Sequence, residues 1–204
     1  MKKGTIILLV IGGLILLLAF NGCGSYNSMF KQREGVTKQW QQVEVAYQAR
    51  MDKTKNLFEI VQSSADFERG TLKEVMEARS KATSVHIDAN NLTPEKMAEF
   101  EQAQNQFGAS LGRLMAVAEN YPQLQTTVAF RDFQAQYEGM ENRIATERGR
   151  FNEQVNDYNA TIGQFPKKIW AGLFGFTPKA YFASQAGAEN APDIKSMRDS
   201  ERNK

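Results

Sequence analysis

Few side chains in this sequence could do chemistry, and the most conspicuous are charges at apolar positions. Arg50, Arg79 and Glu147 stand at helix-spaced sites whose neighbours are apolar. A guanidinium is not buried without a partner, because an unpaired buried charge is very costly. Glu141 and Asn142 lie one to two helical turns before Glu147, and Asp52 and Arg148 adjoin the same positions. The expectation is a semi-buried polar layer: Arg50 and Arg79 against Glu141 and Glu147, with Asp52, Asn142 and Arg148 near it. Two carboxylates could share acid–base work. Arginine partners, however, lower carboxylate pKa values, which suits structure better than proton transfer. The layer therefore reads first as a device fixing helix register, second as a ligand site, and last as a catalytic centre.

Other chemistries find little support. The single histidine, His86, follows a helix end in Ser84-Val85-His86-Ile87 and reads as a surface or loop residue. One cysteine excludes an intramolecular disulfide and any multi-cysteine metal site. There is no Ser/His/Asp set, and Gly172 to Gly175 precedes no Lys-Ser/Thr pair of a phosphate loop. No catalytic, cofactor or metal site is expected. The 204 residues carry 25 Lys+Arg against 23 Asp+Glu, a net charge of +2. Lys2 and Lys3 account for that excess, so the rest of the chain is formally neutral. Nothing points to a nucleic-acid partner.

The elements that must position the charges are long helices. Only Pro94 and Pro122 interrupt the chain between Tyr26 and Gln164. Four stripes recur at alternating three and four spacing. The first runs through Val36, Trp40, Val43, Tyr47, Arg50, Thr54, Leu57 and Val61. The second is Leu72, Val75, Arg79 and Ala82. The third holds Met97, Phe100, Gln104, Phe107, Leu111, Leu114, Ala118 and Tyr121. The fourth, from Phe130 through Tyr137, Ile144 and Phe151 to Phe165, is the longest. Thr93-Pro94-Glu95 after Asn90-Asn91 reads as a capped helix start with proline in the first turn. Pro122 and Pro166 end the third and fourth helices. Asp66 to Gly70 is a softer break. Short connections favour antiparallel neighbours, so the predicted fold is all-α: an up-down antiparallel four-helix bundle over 26–165 with an N-terminal membrane segment.

Residues 1–25 read as a membrane anchor or a lipoprotein signal. Thr5 to Phe20 contains 13 apolar residues in 16 and no charge. As a helix it spans about 24 Å, somewhat short of the hydrocarbon thickness of a bilayer. It can be an uncleaved membrane helix or a secretory signal. Cys23 follows Gly22 where the apolar run stops, a position that fits lipidation after cleavage, although Phe20 suits that site poorly. The expected location is the cell membrane, with the body on the extracytoplasmic, periplasmic side. Lys2 and Lys3 on one flank and Lys31, Arg33 and Lys38 on the other leave orientation weakly determined.

Residues 166–182 have a separate character. Phe165, Trp170, Phe174, Phe176, Tyr181 and Phe182 crowd one short stretch, with Lys167, Lys168 and Lys179 interleaved. Lys167, Lys168, Trp170, Phe174 and Phe176 are membrane-interface candidates; capping the helical core is the competing reading. Residues 183–204 read as a disordered tail.

Several strings occur in a distinctive order. Tyr26-Asn27 and Ala78-Arg79 come first. Glu119-Asn120-Tyr121-Pro122-Gln123-Leu124, Phe130 and Glu141-Asn142-Arg143-Ile144-Ala145 follow. Then come Arg148-Gly149-Arg150-Phe151-Asn152, Val155, Tyr158-Asn159, Phe165-Pro166 and Tyr181-Phe182. This set, over about residues 26–182, resembles the LemA family. The resemblance implies a bacterial membrane-anchored helical bundle and no particular reaction. Arg50-Met51-Asp52-Lys53-Thr54-Lys55-Asn56-Leu57 departs from the family pattern by lacking its proline, so the first helix is expected to run straighter. Phe151 stands where the family usually has tyrosine.

The functional expectation is a non-enzymatic envelope protein that acts through contacts with an unidentified protein partner at the membrane. An envelope ligand module for a peptide or glycan fragment, built on the Arg/Glu layer, is the alternative. Nothing in the residues indicates an oligomeric state.

Overall fold

The computed structural model describes residues 3–62 and 68–183. Those residues form six α-helices and one 3-10 turn, with no strand among them. The all-α expectation holds for this region. The expected tail lies, beyond Ala183, outside the described residues.

α1 (Lys3–Gln62) is a single helix of 60 residues, about 90 Å long. Its apolar first part, through Phe20, is exposed. The helix is long and apolar enough at that end to cross a membrane, and hardly any of the apolar window is covered by the rest of the protein. From Gly22 onward one face is buried, through Met29, Val36, Trp40, Val43, Tyr47, Arg50, Thr54, Leu57 and Val61. No proline interrupts 50–57, and α1 continues through that stretch unbroken.

α2 (Arg69–Ser84) turns back along α1: Arg79 and Thr83 both reach Met51. A 3-10 turn (Ala89–Asn91), capped by Asp88, leads to α3 (Pro94–Ala118). The Thr93 hydroxyl accepts the Lys96 N–H, and Pro94 occupies the first turn, as the sequence signals indicate. A short α4 (Pro122–Gln125) precedes α5 (Val128–Gly163), which Thr127 caps by accepting the Phe130 N–H. α6 (Lys167–Phe174) follows Pro166 and ends at Gly175, whose φ of +72° is the left-handed conformation that glycine adopts freely.

α1 and α5 run antiparallel. Gly35 faces Gln154, Gln39 meets Glu147, and Arg50 meets Glu141. α2 and α3 are antiparallel as well, Glu74 pairing with Arg113 and Lys81 with Gln106. The buried apolar side chains form two clusters. One, nearer the apolar end of α1, centres on Trp40, Phe100, Phe151, Tyr158 and Phe182. The other contains Met51, Leu57, Val75, Phe107, Leu111, Leu114, Phe130 and Phe133. Each large side chain taken fully out of water contributes about 2–3 kcal/mol. The polar layer lies between the two clusters, flanked by Tyr47 and Phe100 on one side and Met51 and Phe107 on the other.

Candidate functional site

Arg50 projects from the buried face of α1 and is only 3% exposed. Its Nη1 donates to Glu141 Oε1 at 3.0 Å. Its Nη2 donates to the Gln104 main-chain oxygen at 3.0 Å and to Gln104 Oε1 at 2.8 Å. The guanidinium also lies over the rings of Tyr47 and Phe107, 5.1 and 5.2 Å from their centroids. Gly108 admits it: a Cβ there would stand 3.2 Å from Nη1. Gln104 Nε2 donates onward to the Ala82 carbonyl at 3.3 Å. One buried network therefore joins α1, α2, α3 and α5. A small polar cleft of about 240 Å³ opens beside it, bordered by Arg50, Asn105, Tyr137 and Glu141.

The other charges expected in the layer go elsewhere. Glu147 is buried, but its partners are Gln39, which donates at 2.7 Å, and Arg150, which donates at 3.0 Å. Arg79 is half-buried, and its Nε donates to the Met51 carbonyl at 3.4 Å. Among the described residues no carboxylate pairs with it. Ala78 takes the buried position of the α2 stripe, one residue from where the spacing put Arg79. Asp52 is exposed and accepts from Gln48, and Asn142 is exposed on α5. Arg148 lies about two turns beyond Glu141 on α5, with Glu101 Oε2 at 3.9 Å and its guanidinium 4.7 Å from the Phe182 ring centroid. Glu141 and Glu147 thus serve separate partners and do not form a carboxylate pair. Gln104 was visible in the third stripe as a polar residue at an apolar position, which was the one signal for its role.

A second constellation escaped the spacing argument. Residues 177–183 lie as an extended strap along α5. Asn159 and Asn152, seven residues apart on one helix face, each grip it twice. The Asn159 amide donates to the Lys179 carbonyl at 2.8 Å and accepts the Lys179 N–H at 2.9 Å. Asn152 does the same with Phe182, at 3.1 and 2.9 Å. Tyr158 Oη donates to the Thr177 carbonyl, Arg148 to that of Ala183, and Glu101 accepts the Ala183 N–H. Phe182 fills a hole lined by Trp40, Phe100 and Phe151. Lys179 is buried, its Nζ donating to the Asn90 carbonyl. Burial pushes the Lys179 ammonium pKa down; the positive charge of Arg33 adds to this and Asp88 opposes it.

The membrane-interface candidates divide. Phe176 is buried against Tyr26 and under the Arg33 guanidinium. Lys167 Nζ approaches Ser28 Oγ at 3.4 Å, Lys168 is exposed, and Phe174 packs edge-on against Tyr26 while staying 42% exposed. Trp170 Nε1 donates to Asn21 Oδ1 at 3.1 Å, and its ring would stand 3.2 Å from a Cβ at position 22. Cys23 is exposed within the unbroken α1.

A cleft of about 290 Å³ beside the layer is lined by buried Tyr47, Met51, Ala82 and Phe100 and by the more exposed Glu44, Gln48 and His86. Burial raises the Glu44 carboxyl pKa, and the Trp40 indole and the His86 charge partly counter that.

Comparison with known proteins agrees with the pattern of residues. Magnetosome protein MamQ 2 of Paramagnetospirillum magneticum is 36% identical over 87 residues, 43% of this chain and 32% of that protein. Magnetosome protein MamQ of Magnetospirillum gryphiswaldense is 38% identical over 80 residues, 39% of this chain and 29% of that protein. The chain thus spans about a third of the length of these curated relatives. The model of the LemA family matches residues 39–195, a stretch that holds α2 to α6, the Arg50 layer and the strap. This chain belongs to the LemA family.

Proposed function

We propose that the chain is a non-enzymatic, membrane-anchored protein of a bacterial envelope whose helical body acts through protein–protein contacts. The observation that carries the reading is the continuity of α1, in which an exposed apolar segment runs without a break into the buried stripe of the body. The antiparallel contacts of α1 with α5, and of α2 with α3, support an up-down four-helix arrangement standing on that anchor. Trp170 favours an anchor that is kept: cleavage before Cys23 would remove Asn21 and Gly22, on which the indole rests. An extracytoplasmic body is part of this reading: it is supported by Lys2 and Lys3 on the leading flank and opposed by Lys31, Arg33 and Lys38 on the other. Arg50 favours a structural layer over the alternative peptide or glycan site, because both its terminal nitrogens are already committed within the protein.

Two measurements test the proposal. Intact-mass analysis of the chain purified from membranes should return the uncleaved N-terminus, and a lipid-modified Cys23 as first residue would overturn the retained helix. Crosslinking in intact membranes, followed by capture of the tagged chain, should recover a reproducible protein partner. Recovery of the chain alone would overturn action through contacts.

A further inference from the structure

We propose that α6 is a second membrane contact, an interfacial helix that lays its apolar face on a bilayer surface carrying anionic phospholipid. The inference rests on the anchoring proposed above and extends it to a different part of the chain. Ile169 and Leu173, four apart on α6, are 61% and 70% exposed, and Phe165, in the turn that leads into α6, is 82% exposed. Side chains of this kind, clustered and left in water, mark a surface that is covered by something apolar.

The height of α6 selects the occupant. Trp170 is tied to Asn21 and packed on Gly22, the two residues that follow the last apolar residue of the anchor, Phe20. Lys167 reaches Ser28 and Phe174 meets Tyr26, so the whole of α6 sits beside residues 21–28 of α1. The apolar part of α1 alone is a few ångströms shorter than a bilayer core of about 30 Å. An interfacial helix at this level completes the span, with tryptophan at the depth that tryptophan favours. Exposed Lys168 and Lys31 lie at the same end, next to Lys167 and Arg33. Cations beside an apolar face fit an anionic lipid surface. A protein partner would be expected to leave no such match between the patch and the end of the anchor.

Fluorescence of the full chain tests this directly, since its two tryptophans report different places. Trp40 is buried about 27 Å further along α1 than Gly22. The chain is reconstituted into vesicles of phosphatidylcholine and phosphatidylglycerol whose acyl chains carry bromine. Trp170 emission should be quenched, and the Trp170→Phe chain should be unquenched. The double variant Ile169→Ser, Leu173→Ser should lose at least half of that quenching while still floating with the vesicles. Lys168→Glu should weaken quenching in anionic vesicles and leave it unchanged in pure phosphatidylcholine. Flotation separates the two proposals, because it reads the α1 anchor and not α6. A wild-type chain that floats but is unquenched overturns the α6 contact alone. So does equal quenching in the double variant, because Trp170 would then owe its depth to α1. A chain that does not float overturns both proposals. Indifference to Lys168→Glu overturns the preference for anionic lipid.

Discussion

Asn152 and Phe182 hold each other by two hydrogen bonds: the side-chain amide of Asn152 both donates to the Phe182 carbonyl and accepts its N–H. This matches a carboxamide to a peptide unit, so it recognises main chain and ignores side-chain identity. Phe182 supplies the rest by filling the hole beside Trp40 and Phe151. Replacing Asn152 with Ala removes both bonds and leaves partly buried main-chain groups unmatched, at a cost of about 2 kcal/mol. Urea unfolding of the detergent-solubilised chain, followed by circular dichroism, measures it. A change near zero would mean that the Asn152 bonds to the strap contribute no stability.

Arg50→Ala should be the most costly single change in the polar layer, about 3 kcal/mol, because Gln104 and Glu141 then face an emptied core. Glu141→Gln should cost about 1 kcal/mol or less, since the Glu141 side chain is 38% exposed and its charge stays hydrated. Equal costs in chemical denaturation would contradict this ranking.

Gly108 gives a sign test for the same site. Gly→Ala within a helix stabilises by roughly 1 kcal/mol. At Gly108 the new methyl would stand 3.2 Å from Arg50 Nη1, a group held in place by Glu141, and Nη2 of the same guanidinium is held by Gln104. Gly108→Ala should therefore destabilise the wild-type chain and stabilise the Arg50→Met chain. Thermal melts of the four proteins check the reversal.

Arg79 should matter far less than Arg50. It is half-buried and offers one long hydrogen bond to Met51. Arg79→Ala is expected to cost under about 1 kcal/mol. A loss as large as that of Arg50→Ala would show that Arg79 belongs to the layer after all.

Glu44 predicts a pH dependence. Burial raises its folded-state pKa above the ordinary value of 4.5. Below 4.5 the carboxyl is protonated in both states, and its contribution is fully present. As pH rises through the folded pKa, the folded chain must charge a group that burial disfavours, and that stability is lost. Glu44→Gln should therefore raise the melting temperature at pH 7, and the gain should vanish at pH 4. A gain that is independent of pH would refute the assignment.

Much of the helical architecture was legible in the residues. The alternating spacing marked the buried faces of α1, α3 and α5, and it placed Arg50 and Glu147 inside them. Thr93 and Pro94 marked the start of α3, and the absence of proline marked α1 as unbroken. The partners were not legible. Arg79 was one residue off the buried face of the shorter α2, where few turns constrain the phase. Glu147 found Gln39 and Arg150, because pairing depends on which turns of α1 and α5 lie side by side.

The strap shows the same division most clearly. Asn152, Tyr158 and Asn159 belong to the ordered set of strings, with nothing in their spacing to say what they hold. Their partners are main-chain groups of 177–183, which every residue carries, so no pattern of side chains announces them. By itself the sequence determined where helices form, which faces are buried and where the long apolar run lies, since these follow from local periodicity along one chain. Only the tertiary structure decided which charge meets which and where the C-terminal segment lies. It also decided that α6 stands beside the end of the apolar run, because these depend on the relative register of elements far apart in sequence.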